Sequence, residues 1–270
     1  MNSDRWSTHG IEMGPASVVK RFGDAGPERF EREWRALTLL HTYLPGLAAE
    51  PQEADPTAVE PTIVMSRLSG TPIRGRSLDE RQVKALADAT TALHNALPPA
   101  VLAGLPLRPG HQRELITHVR TWSSVERPDT SSVCRGKDAG LAWLAQSGLE
   151  TSEPAVPMVF GPGDGNLANY LWDGTRVQVV DFEDSGRSDR VFELAEITEH
   201  VSSWVGPPLD VPSFLAHFDL TAAEVSRLRD CRRLLALVWL FLLSFDDPDN
   251  PRNPPGTADR QADRLLELLD

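Results

Sequence analysis

Apolar residues recur at steps of three and four along several segments of this 270-residue chain, which is the spacing of one face of an α-helix. The first such segment begins at Gly26-Pro27, which predicts a helix start because proline is favoured at the first helical position. Its apolar positions are Phe30, Trp34, Leu37, Leu40 and Leu44. Capping boxes at residues 77–80 (Ser-Leu-Asp-Glu) and 221–224 (Thr-Ala-Ala-Glu) predict the starts of two more helices. A further helix is predicted over residues 190–205.

Shorter runs of β-branched and apolar residues predict strands. Residues 17–22 read Ser-Val-Val-Lys-Arg-Phe, and another run begins at Thr62 and ends in a turn at Gly70. Farther along, residues 169–172 and 176–180 flank Asp173-Gly174, a dipeptide typical of hairpin turns. These patterns predict an α+β chain with two lobes. A small mixed N-terminal lobe would span residues 1–70, with a hinge near residues 64–70. A larger, mainly helical C-terminal lobe would span residues 71–270.

The charge balance narrows the range of partners. Lysine and arginine total 27 against 39 aspartate and glutamate residues, which gives a net charge of −12. Such an acidic chain is not expected to bind nucleic acid or anionic membranes. The longest apolar run, residues 234–243, has only ten residues and is too short to span a bilayer.

The cysteines and the start of the chain bear on the compartment. Cys134 and Cys231 form no Cys-x-x-Cys pair and are expected to be reduced thiols. No long apolar segment opens the chain as it does in secreted proteins, so we expect a cytoplasmic protein. His94 lies among apolar residues at helical spacing, and we expect it to be packed in the core rather than to bind a metal.

Three polar residues carry the most specific chemical signal. Asp164 is followed five positions later by Asn169, and Asp181 comes twelve positions after that, at the end of a predicted strand. Phosphoryl transfer needs a carboxylate that accepts the proton of the substrate hydroxyl, and oxygen ligands that hold Mg²⁺ against the phosphates. Asp164 suits the first role, and Asn169 and Asp181 suit the second. The predicted hairpin would bring Asn169 and Asp181 together at its open end. Each residue alone also fits a turn or a strand end, but the ordered set favours a kinase-type site.

These residues resemble the aminoglycoside phosphotransferase and choline kinase-like family, which has a protein kinase-like fold. The catalytic loop of the family reads His-Gly-Asp-x-x-x-x-Asn, and its metal strand reads Ile-Asp-Phe/Trp-Glu-Asp. Gly163-Asp164 and Asn169 match the loop, and residues 180–184 (Val-Asp-Phe-Glu-Asp) match the strand. Pro162 stands where the family usually has the histidine that supports the loop, a departure that bears on rate and loop geometry more than on reaction class. The resemblance covers residues 18–204.

The resemblance also implies roles in the N-terminal lobe. Lys20 lies on a short strand, as does the lysine that reaches the α- and β-phosphates in kinase-like folds. Glu33, on the following helix, would hold this lysine, with Glu31 as the other candidate. Taken alone, Lys20 also fits an exposed residue at a strand end.

The segment from Thr62 to Pro72 is similar to the hinge of the family, Met-Glu-x-Leu-Pro-Gly-x-Pro. Met65, Ser66 and Leu68 are therefore expected to lie against the adenine, bound through backbone groups. An ordinary strand followed by a turn is the alternative. One expected part of the nucleotide lobe is missing, since no Gly-x-Gly-x-x-Gly precedes Lys20. Either residues 10–14 form a shortened phosphate loop, or the lobe is truncated.

Five acidic residues follow the metal strand and have two interpretations. They would line a pocket for a cationic substrate, or they would form the solvated face of a helix. These residues are Asp184, Asp189, Glu193, Glu196 and Glu199.

The sequence as a whole predicts an ATP-dependent O-phosphotransferase that uses Mg²⁺, with GTP as the alternative donor. Its acceptor would be a hydroxyl of a small metabolite or antibiotic, cationic acceptors included, in antibiotic resistance or biosynthesis. One alternative is a kinase-like enzyme that phosphorylates Ser or Thr of a precursor peptide, working with a partner protein. The other is a pseudokinase scaffold that binds a peptide or partner without turnover.

Overall fold

The computed structural model describes residues 10–23, 26–150, 156–247 and 249–270. Its N-terminal part is a four-stranded antiparallel sheet with the spatial order β1-β2-β4-β3. The strands are β1 (Gly10–Met13), β2 (Ser17–Arg21), β3 (Pro51–Asp55) and β4 (Thr62–Ser66). Helix α1 (Gly26–Tyr43) packs on β3 and β4. The predicted apolar stripe forms its inner face, since Phe30, Leu37 and Leu40 are buried.

Two small sheets connect this part to the helices. Strand β5 (Thr71–Pro72) pairs with β7 (Tyr170–Trp172), which pairs with β8 (Val177–Val179). The β7–β8 hairpin turns at Asp173-Gly174, as predicted. Strands β6 (Met158–Gly161) and β9 (Gly186–Asp189) form a second antiparallel pair. Of the predicted site residues, Asp164 follows β6, Asn169 precedes β7 and Asp181 follows β8.

The rest of the described chain is mainly helical. Its helices are α2 (Glu80–His94), α3 (Pro99–Ala103), α4 (Gln112–Ser123), α5 (Ser131–Gln146), α6 (Arg190–Glu199), α7 (Val211–Leu215), α8 (Ala222–Ser244) and α9 (Thr257–Leu269). Helix α8 carries the longest apolar run and packs against α4, α5, α6 and α9. The α+β prediction is confirmed, with an N-terminal sheet and helix followed by a mainly helical part. The division at residue 70 stays a prediction.

Local boundaries differ from the sequence expectations in three places. The Thr221 capping box is present, but the box at the start of α2 is formed by Asp79 and Gln82 rather than by residues 77–80. Residues 10–13 form strand β1, so the phosphate-loop interpretation of this segment was wrong. Of residues 10–14, only Gly14 lies in the turn between β1 and β2, and its N–H donates to Ser17 O at 2.8 Å. The residues before Gly10 lie outside the described part of the chain.

The third difference concerns the predicted helix over residues 190–205. Helix α6 ends at Glu199 because His200 has an extended backbone, with φ −56° and ψ 137°. A short 3-10 turn (Val201–Ser203) follows. This early end places the side chains of residues 200–202 against the loop that contains Asp164.

Other expectations concern single residues and the membrane. His94 is buried, as predicted, and burial lowers its pKa to about 3. Both cysteines are free thiols, Cys134 exposed and Cys231 buried. Among the described residues, no helix combines the length and the apolar character that crossing a bilayer requires.

Candidate active site

Lys20 is buried at the centre of three carboxylates. Its Nζ lies 3.1 Å from Glu33 Oε2, 2.9 Å from Glu183 Oε2 and 2.5 Å from Asp181 Oδ1. Burial alone would lower the pKa of the Lys20 ammonium, but attraction to Glu33, Asp181 and Glu183 raises it above its ordinary value. The ammonium therefore stays charged at any physiological pH.

The partner of Lys20 on helix α1 is Glu33, whereas the other candidate, Glu31, is exposed. Glu33 is almost completely buried and also accepts a hydrogen bond from the N–H of Phe182 at 2.7 Å. The single carboxylate thus joins the lysine strand to the segment that follows β8. Lys20 itself is 5 % exposed, so the interpretation as an exposed strand-end lysine was wrong.

Helix α1 holds this segment through two arginines as well. Arg29 Nη1 donates to Glu183 Oε1 at 3.1 Å, and Arg32 Nε donates to the carbonyl of Glu183 at 2.6 Å. Both guanidinium groups also lie within 4.0 Å of Asp184 Oδ1. Glu183 as a partner of Lys20, and the two arginines, were not recognised in the sequence because only the folded chain brings them together.

Asp181 has a backbone conformation that is unusual for a side-chain-bearing residue. Its φ is +71°, and no other non-glycine residue in the described chain has a positive φ. Aspartate and asparagine tolerate this left-handed region better than most residues. The conformation turns the chain at the end of β8 and presents the carboxylate, 39 % of whose side-chain surface is exposed.

The predicted metal ligands come together through the hairpin. The N–H of Val180, next to Asp181, donates to the carbonyl of Asn169 at 3.0 Å. A tighter group of carboxylate oxygens, from Glu33, Asp181 and Glu183, lies within 4.8 Å of one another. Lys20 already lies at the centre of that group, and Glu33 is deeply buried. The more exposed Asp181, with Asn169, is therefore the better place for a cation that contacts phosphates.

Asp164 lies in the loop after β6, and two hydrogen bonds orient its carboxylate. Oδ1 accepts a hydrogen bond from the backbone N–H of Asn166 at 2.9 Å, and Oδ2 accepts one from Nδ2 of Asn169 at 3.0 Å. Loss of surrounding water, together with repulsion from Asp181 and Asp184, raises the pKa of Asp164 to about 6. The side chain keeps 34 % of its surface exposed, so a substrate can reach it. A reachable carboxylate with a pKa near neutrality suits a general base.

Two glycines let this loop pack closely on its neighbours. A Cβ on Gly163, where φ is +86°, would lie 2.0 Å from the carbonyl oxygen of Asp184. A Cβ on Gly165 would lie 2.1 Å from the carbonyl oxygen of Glu196 on helix α6. Neither position has room for a larger residue, which explains the Gly-Asp-Gly sequence around Asp164.

The loop is also fixed by Arg108, a buried residue that the sequence did not single out. Its guanidinium donates to the carbonyl of Gly163 at 2.7 Å and lies 3.1 Å from Glu193 and 2.8 Å from Glu196. Burial raises the pKa of Glu196 to about 7, with the Arg108 charge acting in the opposite direction. The loop is thus tied to helix α6.

Both interpretations of the five acidic residues need correction. Every residue of helix α6 from Val191 to Glu199 is buried, so these residues are not a solvated face. Nor do they form an unpaired acidic pocket, because each carboxylate lies against an arginine. Asp184 pairs with Arg29 and Arg32, Asp189 with Arg227, Glu193 and Glu196 with Arg108, and Glu199 with Arg232 and Arg264.

The predicted hinge follows strand β4. Met65 is buried, and the N–H of Ser66 already donates to the carbonyl of Glu50 at 2.9 Å. The N–H of Arg67 likewise donates to Ala16 O at 2.9 Å. Contacts of this segment with adenine would therefore come from the carbonyl of Ser66 and from the backbone at Leu68, which is half-buried.

Two further residues near Asp164 were missed. His200 Nε2 lies 3.6 Å from Asp164 Oδ1. Arg74, just after β5, is close enough that the charge of Asp164 acts on its guanidinium, whose pKa is lowered by burial. The helix predicted over residues 190–205 concealed the position of His200, and no local sequence signal marks Arg74.

Comparison with known proteins identifies the arrangement. The family described as a phosphotransferase enzyme family matches residues 7–237. The chain belongs to the phosphotransferase enzyme family. It is thus a small-molecule kinase with an alcohol group as acceptor, and the predicted reaction class is confirmed at this level. No curated protein sequence matches the chain.

Solved structures of other phosphotransferases share the fold. The choline kinase LicA from Streptococcus pneumoniae superposes with a TM-score of 0.65 at 15 % identity, covering 97 % of this chain and 89 % of that one. The spectinomycin phosphotransferase APH(9)-Ia, in complex with ADP and spectinomycin, gives 0.59 at 13 % identity, covering 97 % and 92 %. The aminoglycoside phosphotransferase APH(4)-Ia gives 0.60 at 16 %, covering 97 % and 94 %. The protein kinase-like fold is therefore confirmed.

Proposed function

We propose that this phosphotransferase transfers the γ-phosphoryl group of ATP to a hydroxyl of a small molecule, with Asp164 as the general base. The observation that carries the proposal is the state of the Asp164 carboxylate, which is reachable and oriented by Asn169, with a pKa of about 6. In the reaction, the acceptor oxygen forms a bond to the γ-phosphorus and its proton passes to Asp164. The bond from the γ-phosphorus to the β–γ bridging oxygen breaks, and ADP leaves with the electron pair.

The residues present fit a magnesium ion. Asn169 and Asp181 offer the hard oxygen ligands that Mg²⁺ prefers, and the Asp181 carboxylate is partly exposed. When bound, the ion neutralises charge on the phosphates. Asp181 and Asn169 would hold it, and the bond from Asn169 Nδ2 to Asp164 would keep the base in a fixed relation to the metal ligands.

Lys20 would bind the α- and β-phosphates of the nucleotide. Its charge is held in place by Glu33 and Glu183, both more deeply buried than Asp181. The backbone of Ser66 and Leu68, beside the buried Met65, would bind the adenine. GTP remains the alternative donor, since backbone contacts alone place few demands on the purine.

The acceptor stays open between several small molecules. Relatives of known structure include a choline kinase and a spectinomycin phosphotransferase, so choline and spectinomycin are natural first acceptors to test. The five acidic residues from Asp184 to Glu199 give no support to a cationic acceptor, because arginines pair with all of them. Neutral hydroxyl compounds therefore belong in the same panel, together with Ser/Thr peptides.

Calorimetric titration with ATP, with and without Mg²⁺, tests the proposal first. We expect magnesium-dependent binding, followed by transfer of radiolabelled phosphate to at least one acceptor of the panel. Transfer should be lost in an Asp164→Asn variant and kept in Asp88→Asn, a control on the exposed face of α2. Equal transfer by wild type and Asp164→Asn would overturn the assignment of the base.

A further inference from the structure

His200 occupies a fixed position at the end of helix α6. Its backbone N–H donates to the carbonyl of Glu196 at 3.0 Å, and the chain then leaves the helix. The imidazole is buried and packs edge-on against Trp239, with ring centroids 4.6 Å apart. Because both the backbone and the ring are held, the direction of the two ring nitrogens is fixed.

The contacts of His200 determine which nitrogen carries the hydrogen. Nδ1 accepts the backbone N–H of Ser202 at 3.0 Å and lies 2.7 Å from the hydroxyl of the same residue. A backbone N–H only donates, so Nδ1 must present its lone pair. Burial, with the nearby charge of Arg74, lowers the pKa of His200 to about 3, so the ring is neutral. In a neutral ring with an accepting Nδ1, the hydrogen is on Nε2.

That hydrogen faces the predicted base. His200 Nε2 lies 3.6 Å from Asp164 Oδ1, somewhat longer than a hydrogen bond. Contacts of this kind in a ligand-free site shorten when substrate binds. The hydroxyl of Ser202 also accepts the N–H of Leu167 at 2.9 Å. Residues 200–202 therefore contact the catalytic loop at both Asp164 and Leu167.

The chain directly before Asp164 provides no such support. Pro162 has neither an N–H nor a polar side chain, and Gly163 has no side chain. Donors to the Asp164 carboxylate must therefore come from residues later in the loop or from other parts of the fold. Asn166 and Asn169 supply two of them from within the loop.

We infer that His200 is a positioning residue for Asp164: its Nε2–H donates to Oδ1 and keeps the carboxylate oriented in the substrate complex. The inference rests on the proposed function, in which Asp164 is the base. The charged and titratable groups that act on Asp164 are Asp181, Asp184, Glu196 and Arg74. Asp181 and Asp184 repel the Asp164 carboxylate, so a neutral donor at Oδ1 offsets their repulsion.

Replacement of His200 tests the inference with a readout that a purely structural role would not move. In His200→Leu, we expect kcat to fall roughly 10–100-fold, the range for residues that orient a functional group. KM for magnesium–ATP should be unchanged, so that the loss appears in kcat alone. His200→Gln, which carries an amide N–H at a similar reach, should recover part of the rate. ATP hydrolysis to water serves as the assay until the acceptor is known.

Two serines in the same turn provide further variants. Ser203→Ala is the control, because the Ser203 hydroxyl donates to the carbonyl of Ile197 and not to His200 or to the Asp164 carboxylate. It should retain the wild-type kcat. Ser202→Ala removes the contacts to His200 and Leu167, and we expect a smaller loss of kcat than in His200→Leu. A wild-type kcat in His200→Leu would overturn the inference.

NMR of ¹⁵N-labelled histidine tests the contact between His200 and Asp164 without relying on catalysis. The His200 signal, identified by its loss in His200→Gln, should show an Nε2–H tautomer and should shift in Asp164→Asn. An Nδ1–H tautomer, or no shift, would overturn the contact. If the tautomer and the shift are found but no phosphoryl group is transferred to any acceptor or to water, the contact stands and the proposed function is overturned.

Discussion

Nδ2 of Asn169 lies 3.0 Å from Oδ2 of Asp164, so the proposed metal ligand donates directly to the proposed base. The two side chains belong to one loop and are separated by four residues. Their hydrogen bond couples the position of the base to that of the metal ligands. A change at Asn169 is therefore expected to affect both proton transfer and nucleotide binding.

Asp164→Asn removes the base but retains a side chain of the same shape. We expect kcat to fall by about 10²–10⁴-fold, the usual contribution of general base catalysis. Affinity for magnesium–ATP should change little, because Asp181 and Lys20 remain. Single-turnover phosphate transfer measures the first quantity and calorimetry the second.

The pH dependence should reveal the raised pKa of Asp164. The base acts in its ionised form, so kcat/KM should fall as the pH drops through about 6. Ionisation of Asp164 changes the stability of the fold in the direction opposite to that of an ordinary ion-paired aspartate. Since the folded-state pKa lies above the ordinary value, the ionised carboxylate destabilises the fold above pH 6, and this cost disappears as the pH falls toward 4.

The stability of Asp164→Asn provides the check on that sign. At pH 8 the variant should melt at a higher temperature than the wild type, and the difference should shrink at pH 5. Equal melting temperatures of the variant and the wild type at pH 8 and pH 5 would show that ionisation of Asp164 does not destabilise the fold. A lower melting temperature for the variant at pH 8 would contradict the direction of the pKa shift.

Asp181→Asn tests the metal ligand without disturbing the backbone. Asparagine tolerates positive φ, whereas alanine would add strain at φ +71°. We expect the magnesium-dependent part of ATP binding to weaken at least about tenfold, since a charged ligand of the hard cation becomes neutral. Calorimetric titrations over a range of Mg²⁺ concentrations would measure the effect. Asp173→Asn, in the exposed turn of the same hairpin, should bind ATP as the wild type does.

Glu33→Gln tests the buried ion pair with Lys20. Removing one partner of a buried pair typically costs about 3–5 kcal/mol, because the remaining charge is left without compensation. Here Glu183 and Asp181 still face Lys20, so we expect a loss at the lower end of that range, measured by denaturant unfolding. Glu31→Gln, two positions away on the exposed side of α1, should leave the stability unchanged. Equal losses in both variants would refute the special role of Glu33.

The sequence predicted the parts of the site that are set by local order. Asp164, Asn169 and Asp181 lie on one loop and hairpin, so their spacing along the chain already determines their proximity. Lys20 and Glu33 lie on a neighbouring strand and helix. The choice of Glu33 over Glu31 came from the family resemblance. The α+β class followed from the two kinds of periodicity.

Contacts between distant segments were not predictable in the same way. Arg108 reaches Glu193 and Glu196 across the fold, and nothing near Arg108 in the sequence marks it as a partner of helix α6. The acidic residues looked like a solvated face because sequence patterns do not show which charges are paired. The end of α6 was missed for a related reason. Residues 200–205 contain no proline or glycine that would mark a helix end, and the contacts of His200 with Ser202 and Trp239 form only in the folded chain.

The three carboxylates around Lys20 have a consequence for how a nucleotide enters. The protein already supplies counter-charges for this ammonium, so in the proposed mode of binding an arriving phosphate would exchange with a carboxylate instead of meeting a bare cation. Asp181 is the most exposed of the three and would be the first to leave. The affinity for nucleotide would then reflect the difference between two ion pairs, and the displaced aspartate would be free to bind the metal that arrives with the phosphates.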